Sequence, residues 1–232
     1  MNIQSIIVGV VIILFLYLLY RYFYDNVSLS VLSDARNMQI IKPSSLPQVS
    51  NSSNYAYSIW FYVDDWNYRY GEPKVIFGRL DQNKDHSPSV VLDPMQNNLN
   101  ISVATYGNTK SKRSRMHKCN VPNVPLQKWV NLIISLYGRS LDVYIDGKLV
   151  RTCVLPGVAK VNRDSPVFIT PKNGFSGYTS NFQYFSDALN PQEAYNIYKS
   201  GYGGSALGNL FSKYRLRVTF LENNTAQGSF EI

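Results

Sequence analysis

The sequence predicts an all-β fold, a two-sheet antiparallel jelly-roll sandwich with one short helix, preceded by a single transmembrane helix. Three observations carry this prediction. From Tyr55 onward apolar residues recur in short runs bounded by Gly, Pro, Asn and Asp, the spacing of the many short strands of a sandwich or jelly roll. An Asp-Gly pair sits between two such runs, the strongest short-range hairpin signal. The first 20 residues hold no charged side chain, and about 20 apolar residues cross the hydrocarbon of a bilayer. Composition agrees. At 45% hydrophobic, 14% aromatic and 16% charged, the chain is too apolar for disorder. Its 232 residues, less the anchor, suit one all-β domain.

Residues 1–24 are expected as the anchor. The run from Ile6 to Tyr20 (IIVGVVIILFLYLLY) is almost wholly apolar and passes into Arg21, Tyr22, Phe23 and Tyr24, an interfacial aromatic belt. A cleaved signal peptide would want basic residues before the run and a small-x-small site after it; such a peptide, or an interfacial helix, is the alternative. The lipid bilayer is thus the first expected partner. Arg21 tilts the topology weakly toward a cytosolic C-terminal domain. Residues 25–54 are polar, with Pro43, Pro47 and a Ser/Asn cluster, the composition of a tether.

Residues 55–200 are expected as the sandwich. Leu99, Ile101 and Val103 alternate with Asn100 and Ser102, the period of a strand with one wet face. Residues 129–137 are more continuously apolar and read as a central strand. Asp146-Gly147 supplies the positive φ that a type I′ turn needs, and a two-residue loop would set Asp142 opposite Arg151. One helix follows, with Asn190 as N-cap, Pro191 at N1, Glu193 at N3, and a stop near Gly201. Residues 201–232 comprise a glycine hinge and an amphipathic strand from Lys213. A second strand after Asn223-Asn224 would complete a hairpin that joins this sheet or a neighbour's sheet edge.

Three stretches resemble the concanavalin A-like lectin/glucanase superfamily in its laminin-G-like jelly-roll branch. They are Tyr57-Ser-Ile-Trp-Phe-Tyr-Val, the stretch from Lys128-Trp129 through the Asp146-Gly147 hairpin to Val150, and Phe175-Ser-Gly177 through Ala188-Leu189 to Tyr198. The family's acidic pair after the glycine is replaced by Thr179-Ser180-Asn181, so no calcium is expected there, because hard cations want carboxylates. Glycan hydrolysis needs two carboxylic acids about 5 Å apart for retention. The only glutamates, Glu72, Glu193, Glu222 and Glu231, are scattered. No enzyme, metal or cofactor is therefore expected. An anchor, a tether, this sandwich and a strand-forming basic tail are also similar to membrane-anchored minor capsid proteins of large icosahedral double-stranded DNA viruses. The segment 119–156 carries that resemblance most specifically.

Three constellations remain. Seven basic residues and no acidic one lie between Asp93 and Asp142, and with Arg21 they account for the net charge of +8. Lys110, Lys112, Arg113, Arg115 and Lys118 form the centre of this patch, suited to an acidic protein or to lipid headgroups, or simply a solvated loop. No aromatic residue interrupts it, which argues against single-stranded nucleic acid. Asp64, Asp65, Trp66, Tyr68 and Tyr70 make the loop one would choose for a glycan, with rings to stack on sugar faces and carboxylates to take hydroxyls. Cys119 and Cys153 flank the central strand and hairpin and pair as a disulfide or stay as buried thiols. His86 and His117 read as solvated loop residues. The resulting expectation is a non-enzymatic, membrane-anchored structural protein, a viral minor capsid protein that ties the internal membrane to capsid proteins within the virion. A membrane-bound lectin is the alternative.

Overall fold

The computed structural model describes residues 12–17, 29–47, 53–80, 85–107, 114–203, 217–222 and 225–231. Two six-stranded antiparallel sheets face each other, ordered β1-β12-β3-β8-β9-β10 and β2-β11-β4-β5-β6-β7. The strands of the first sheet are β1 (Ser33–Asp34), β12 (Ser176–Phe185), β3 (Tyr55–Asp65), β8 (Trp129–Tyr137), β9 (Ser140–Ile145) and β10 (Lys148–Val154). Those of the second are β2 (Gln39–Ile41), β11 (Val167–Ile169), β4 (Lys74–Leu80), β5 (His86–Leu92), β6 (Leu99–Thr105) and β7 (Arg115–Val121).

Period-two patterning decides what enters the core. Tyr55, Tyr57, Ile59, Phe61 and Val63 of β3 meet Val130, Leu132, Ile134 and Leu136 of β8 and Leu99, Ile101 and Val103 of β6. The Tyr57 ring lies within 6 Å of the rings of Tyr55, Phe77, Phe182 and Tyr184. The outer face of β8 is also covered, because helix α1 (Pro191–Ser200) lays Ala194 and Ile197 on Ile133 and Tyr144. That explains why β8 carries apolar residues on both faces. Asn190 accepts from the Glu193 amide and Glu193 reciprocates, a complete capping box,.

The hairpin turn forms as expected, with Asp146 and Gly147 at φ 50° and 72°. A side chain at Gly147 would also press on Tyr195 and Tyr198 of α1. The partner of Asp142 differs from expectation. A bulge between Leu149 and Arg151 shifts the register, so Asp142 faces Thr152 and accepts its hydroxyl at 2.6 Å,.

Of the segment expected as a tether, residues 29–47 are built into the sandwich instead. β1 pairs with β12 and β2 with β11, and the turn between them crosses from the edge of one sheet to the edge of the other. Ala35, Ile41 and Leu46 are buried in the core, and apolar burial holds what prolines alone would leave loose. Of the expected membrane span, residues 12–17 are helical; the rest of it lies outside the described residues. Among the described residues no helix is long and apolar enough to cross a membrane. The tail forms β13 (Arg217–Glu222) and β14 (Thr225–Glu231), which pair with each other as a two-stranded sheet and with neither large sheet. Local closure carries the smallest loop entropy.

Candidate functional site

The aromatic and acidic loop leaves the end of β3. Its conformation is fixed by Arg69, whose guanidinium grips Glu72 at 2.6 Å and donates to the carbonyls of Lys172 and Gly174. Lys74 is fully buried. Its ammonium donates to the Arg69 carbonyl at 3.2 Å and sits 4.6 Å from the centre of the Trp66 ring, a cation–π contact. Burial, followed by the positive charge of Arg69, holds the Lys74 pKa below its ordinary value,.

Trp66 lines a shallow cleft of about 530 Å³ with Met95, Gln96, Asn97, Asn98, Asn123 and Leu126. The other expected glycan residues do not line it. Asp65 accepts the Asn67 amide, and Tyr68 donates to the Asn173 carbonyl under the Arg36 guanidinium. Asp64 and Tyr70 are exposed. The amides of the cleft are partly engaged: Asn97 donates to the Val124 carbonyl, Asn98 donates to Gln96, and the Asn98 carbonyl oxygen accepts the Asn123 backbone amide. Together they hold the loop between β5 and β6 against the segment that follows β7.

Of the basic patch, Lys110, Lys112 and Arg113 lie outside the described residues. Arg115 and Lys118 are exposed on β7, the edge strand of its sheet. The base of the loop is fastened by Asp85, which accepts the Ser114 hydroxyl at 2.6 Å and pairs with Lys160 at 2.7 Å. His86 and His117 fall on strands rather than in loops. Cys119 and Cys153 form a disulfide with a Cα separation of 6.0 Å. They lie on the edge strands of opposite sheets, β7 and β10, so the bond joins the sheets rather than neighbouring strands of one.

Two arrangements escaped sequence reasoning. On the outer face of the first sheet, Trp129 stacks on Tyr202 at 4.6 Å and Trp60 on Tyr198 at 5.7 Å. Trp60 Nε1, Asn131 Oδ1, Asn181 Oδ1 and Gln183 Oε1 are buried without hydrogen-bond partners. The outward alternation of Trp60 and Tyr62 was the available signal, but only strand pairing brings them beside Trp129. Inside the sandwich, Arg79 is 3% exposed and donates to Tyr57 Oη and to the carbonyls of Ser165 and Arg163. Burial pushes the Tyr57 phenol up to about 12, against the pull of Arg79.

The structure gives the upstream glutamates mechanical work: Glu72 pairs with Arg69 and Glu193 caps α1. Glu222 and Glu231 end up on β13 and β14. Among the described residues no three His, Cys, Asp or Glu side chains gather as a metal site.

The architecture is similar to that of solved structures. Two mutants of HCR/D superpose with TM-scores of 0.53 and 0.52 at 15% identity, covering 71% and 73% of this chain and 40% and 41% of theirs. The receptor-binding domain of botulinum neurotoxin C/D mosaic serotype gives 0.51 at 14% identity, covering 66% of this chain and 39% of that one. The chain therefore spans about two fifths of those structures, and the likeness is one of fold. No curated protein matches the sequence. The Laminin_G_3 family, described as concanavalin A-like lectin/glucanases superfamily, matches residues 37–194, which takes in every strand of the two large sheets except β1, and the first turn of α1. By this match, over an all-β sandwich of two antiparallel sheets with one short helix, the chain belongs to the Laminin_G_3 family of the concanavalin A-like lectin/glucanase superfamily.

Proposed function

We propose that the protein is a non-enzymatic, membrane-anchored binding module with a structural role. In this reading it is a minor capsid protein that ties an internal membrane to an outer shell in a virion through protein contacts. One observation carries the anchor. Residues 12–17 are helical, and all six side chains are apolar and between 52% and 68% exposed. A helical segment that is apolar all round and more than half exposed on every side chain belongs in hydrocarbon. The exposed cations of β7 and the open edges of the two large sheets supply surfaces for protein partners. The glutamates tied up in Arg69 and α1 favour binding over hydrolysis.

Membrane fractions of cells expressing the full chain test the anchor: it stays in the pellet after alkaline carbonate, and release into the supernatant overturns the reading. Cross-linking mass spectrometry on the native particle, read at Lys118, tests the partner. Reproducible links to other structural proteins support the tethering role, and intramolecular links alone count against it.

A second reading, a lectin, is favoured by the Trp66 cleft, where an indole and the amides of Gln96 and Asn123 meet. Glycan-array binding lost on Trp66→Ala would establish it over the first.

A further inference from the structure

The strap of residues 31–42, which runs through β1 and the connecting turn into β2, carries more exposed apolar surface than an edge segment in water should. Val31 is 78% exposed, Leu32 58%, Met38 51% and Ile40 54%. Within the same ten residues, Ala35 is buried, so the strap sets a core residue into the sandwich and leaves four large apolar side chains exposed. Lys42, just beyond Ile40, is an exposed cation, while Arg36, between Leu32 and Met38, holds its guanidinium over the Tyr68 ring and donates to the Ser176 hydroxyl at 2.9 Å. The one acid of the stretch, Asp34, is engaged by the backbone amide of Arg36 at 2.8 Å.

The strap occupies one lateral side of the sandwich. β1 and β2 are the outermost strands of their sheets, and β10 and β7, joined by the disulfide, are outermost at the opposite side. Helix α1 packs on the outer face of β8 and β9 and leaves the strap uncovered.

We infer that this lateral edge rests on the surface of an anionic bilayer, with Val31, Leu32, Met38 and Ile40 in the interfacial region and Lys42 at lipid phosphates. The inference rests on the membrane anchor proposed above and adds the orientation of the domain. Continuity of the chain selects the occupant. Leu29 is already fastened by its amide to the Phe182 carbonyl at 2.8 Å, so eleven residues separate the apolar helical segment ending at Tyr17 from the strap. Even fully extended, that stretch reaches only about 40 Å. Exposed apolar side chains beside a cation are the composition by which peripheral elements bind anionic interfaces.

The test uses the full chain in vesicles of phosphatidylcholine and phosphatidylserine. An environment-sensitive fluorophore is attached through Val31→Cys or Ile40→Cys, and on the opposite edge through Leu149→Cys. Leu149 is 51% exposed on β10; the native cysteines are consumed by their disulfide. Lipids spin-labelled near the headgroup are expected to quench the probes at 31 and 40 at least about twofold more than the probe at 149. If the chain floats with the vesicles and all three probes behave alike, the orientation is overturned and the anchor stands. If the chain does not float, the anchor reading fails and this inference fails with it.

Discussion

Removing the bond between Cys119 and Cys153 isolates what a covalent staple contributes to this sandwich. The two cysteines are 34 residues apart, and closing a loop of that length in the unfolded chain corresponds to about 3.8 kcal/mol in the chain-entropy description. Cys119→Ala with Cys153→Ala removes the bond while leaving little new volume at Cys119, which is 1% exposed. Urea unfolding of the full chain in detergent micelles, followed by tryptophan emission, reads the effect. With a slope of about 2.5 kcal/mol per molar urea, the midpoint falls by about 1.5 M. Wild-type protein in strong reductant loses the same amount, since both comparisons remove the same restraint. A loss below about 1 kcal/mol in either case refutes the reasoning. It would mean that packing between β7 and β10, rather than restriction of the unfolded chain, keeps that side of the sandwich closed.

Other perturbations test other levels of the structure. Phe182→Ala empties a fully buried site against Tyr57 and Phe77, and unfolding should become easier by about 3–5 kcal/mol; a loss under about 1 kcal/mol would place that ring outside the core. Asn190→Ala removes the reciprocal cap of α1 and costs about 1 kcal/mol by chemical denaturation, with the Trp60–Tyr198 contact loosened in near-ultraviolet dichroism. Gly177→Ala forces a Cβ onto the Tyr62 carbonyl oxygen at a φ of +146°, so β12 separates from β3 and no folded protein is recovered; a soluble, native-like variant would contradict that geometry. Because the folded Tyr57 pKa is raised to about 12 from an ordinary value near 10, the unfolded chain loses its proton first. That contribution to stability is fully present below pH 10 and is lost as pH rises toward 12 and beyond, with a slope of at most about 1.4 kcal/mol per pH unit. Tyr57→Phe flattens this alkaline limb, and an unchanged limb would assign it to other groups.

Local chemistry explains which parts were legible in the sequence. The Asp146-Gly147 turn and the Asn190 cap rest on residues within a few positions of each other, so their outcomes depend little on the rest of the chain. The alternation in β6 showed its inward face for the same reason. The bulge that moves Asp142 from Arg151 to Thr152 leaves no such mark, since inserting Val150 changes pairing without changing composition. β1 and β2 are two and three residues long, too short for any period to show. They exist because Ala35 and Ile41 find a core already built by β11 and β12. The glycan loop forms one constellation in the sequence because its residues are adjacent there. In space Trp66 turns to the amide cleft while Tyr68 turns to Arg36 and Asn173, and only folding separates them.

The two closures of the sandwich also decide how it would carry a pull. Tension entering from the N-terminal side first meets Leu29 and Ser30 on Phe182, then β1, which holds β12 through two register pairs, and the strap would peel one contact at a time at low force. The load then passes to β3, flanked by β12 and β8 along almost its whole length, where many hydrogen bonds must shear together. At the far side the covalent bond between the sheets bears none of the first load and keeps them from parting like the covers of a book. The strap is then the slack that gives way and reseals, and the body behind it transmits force without opening.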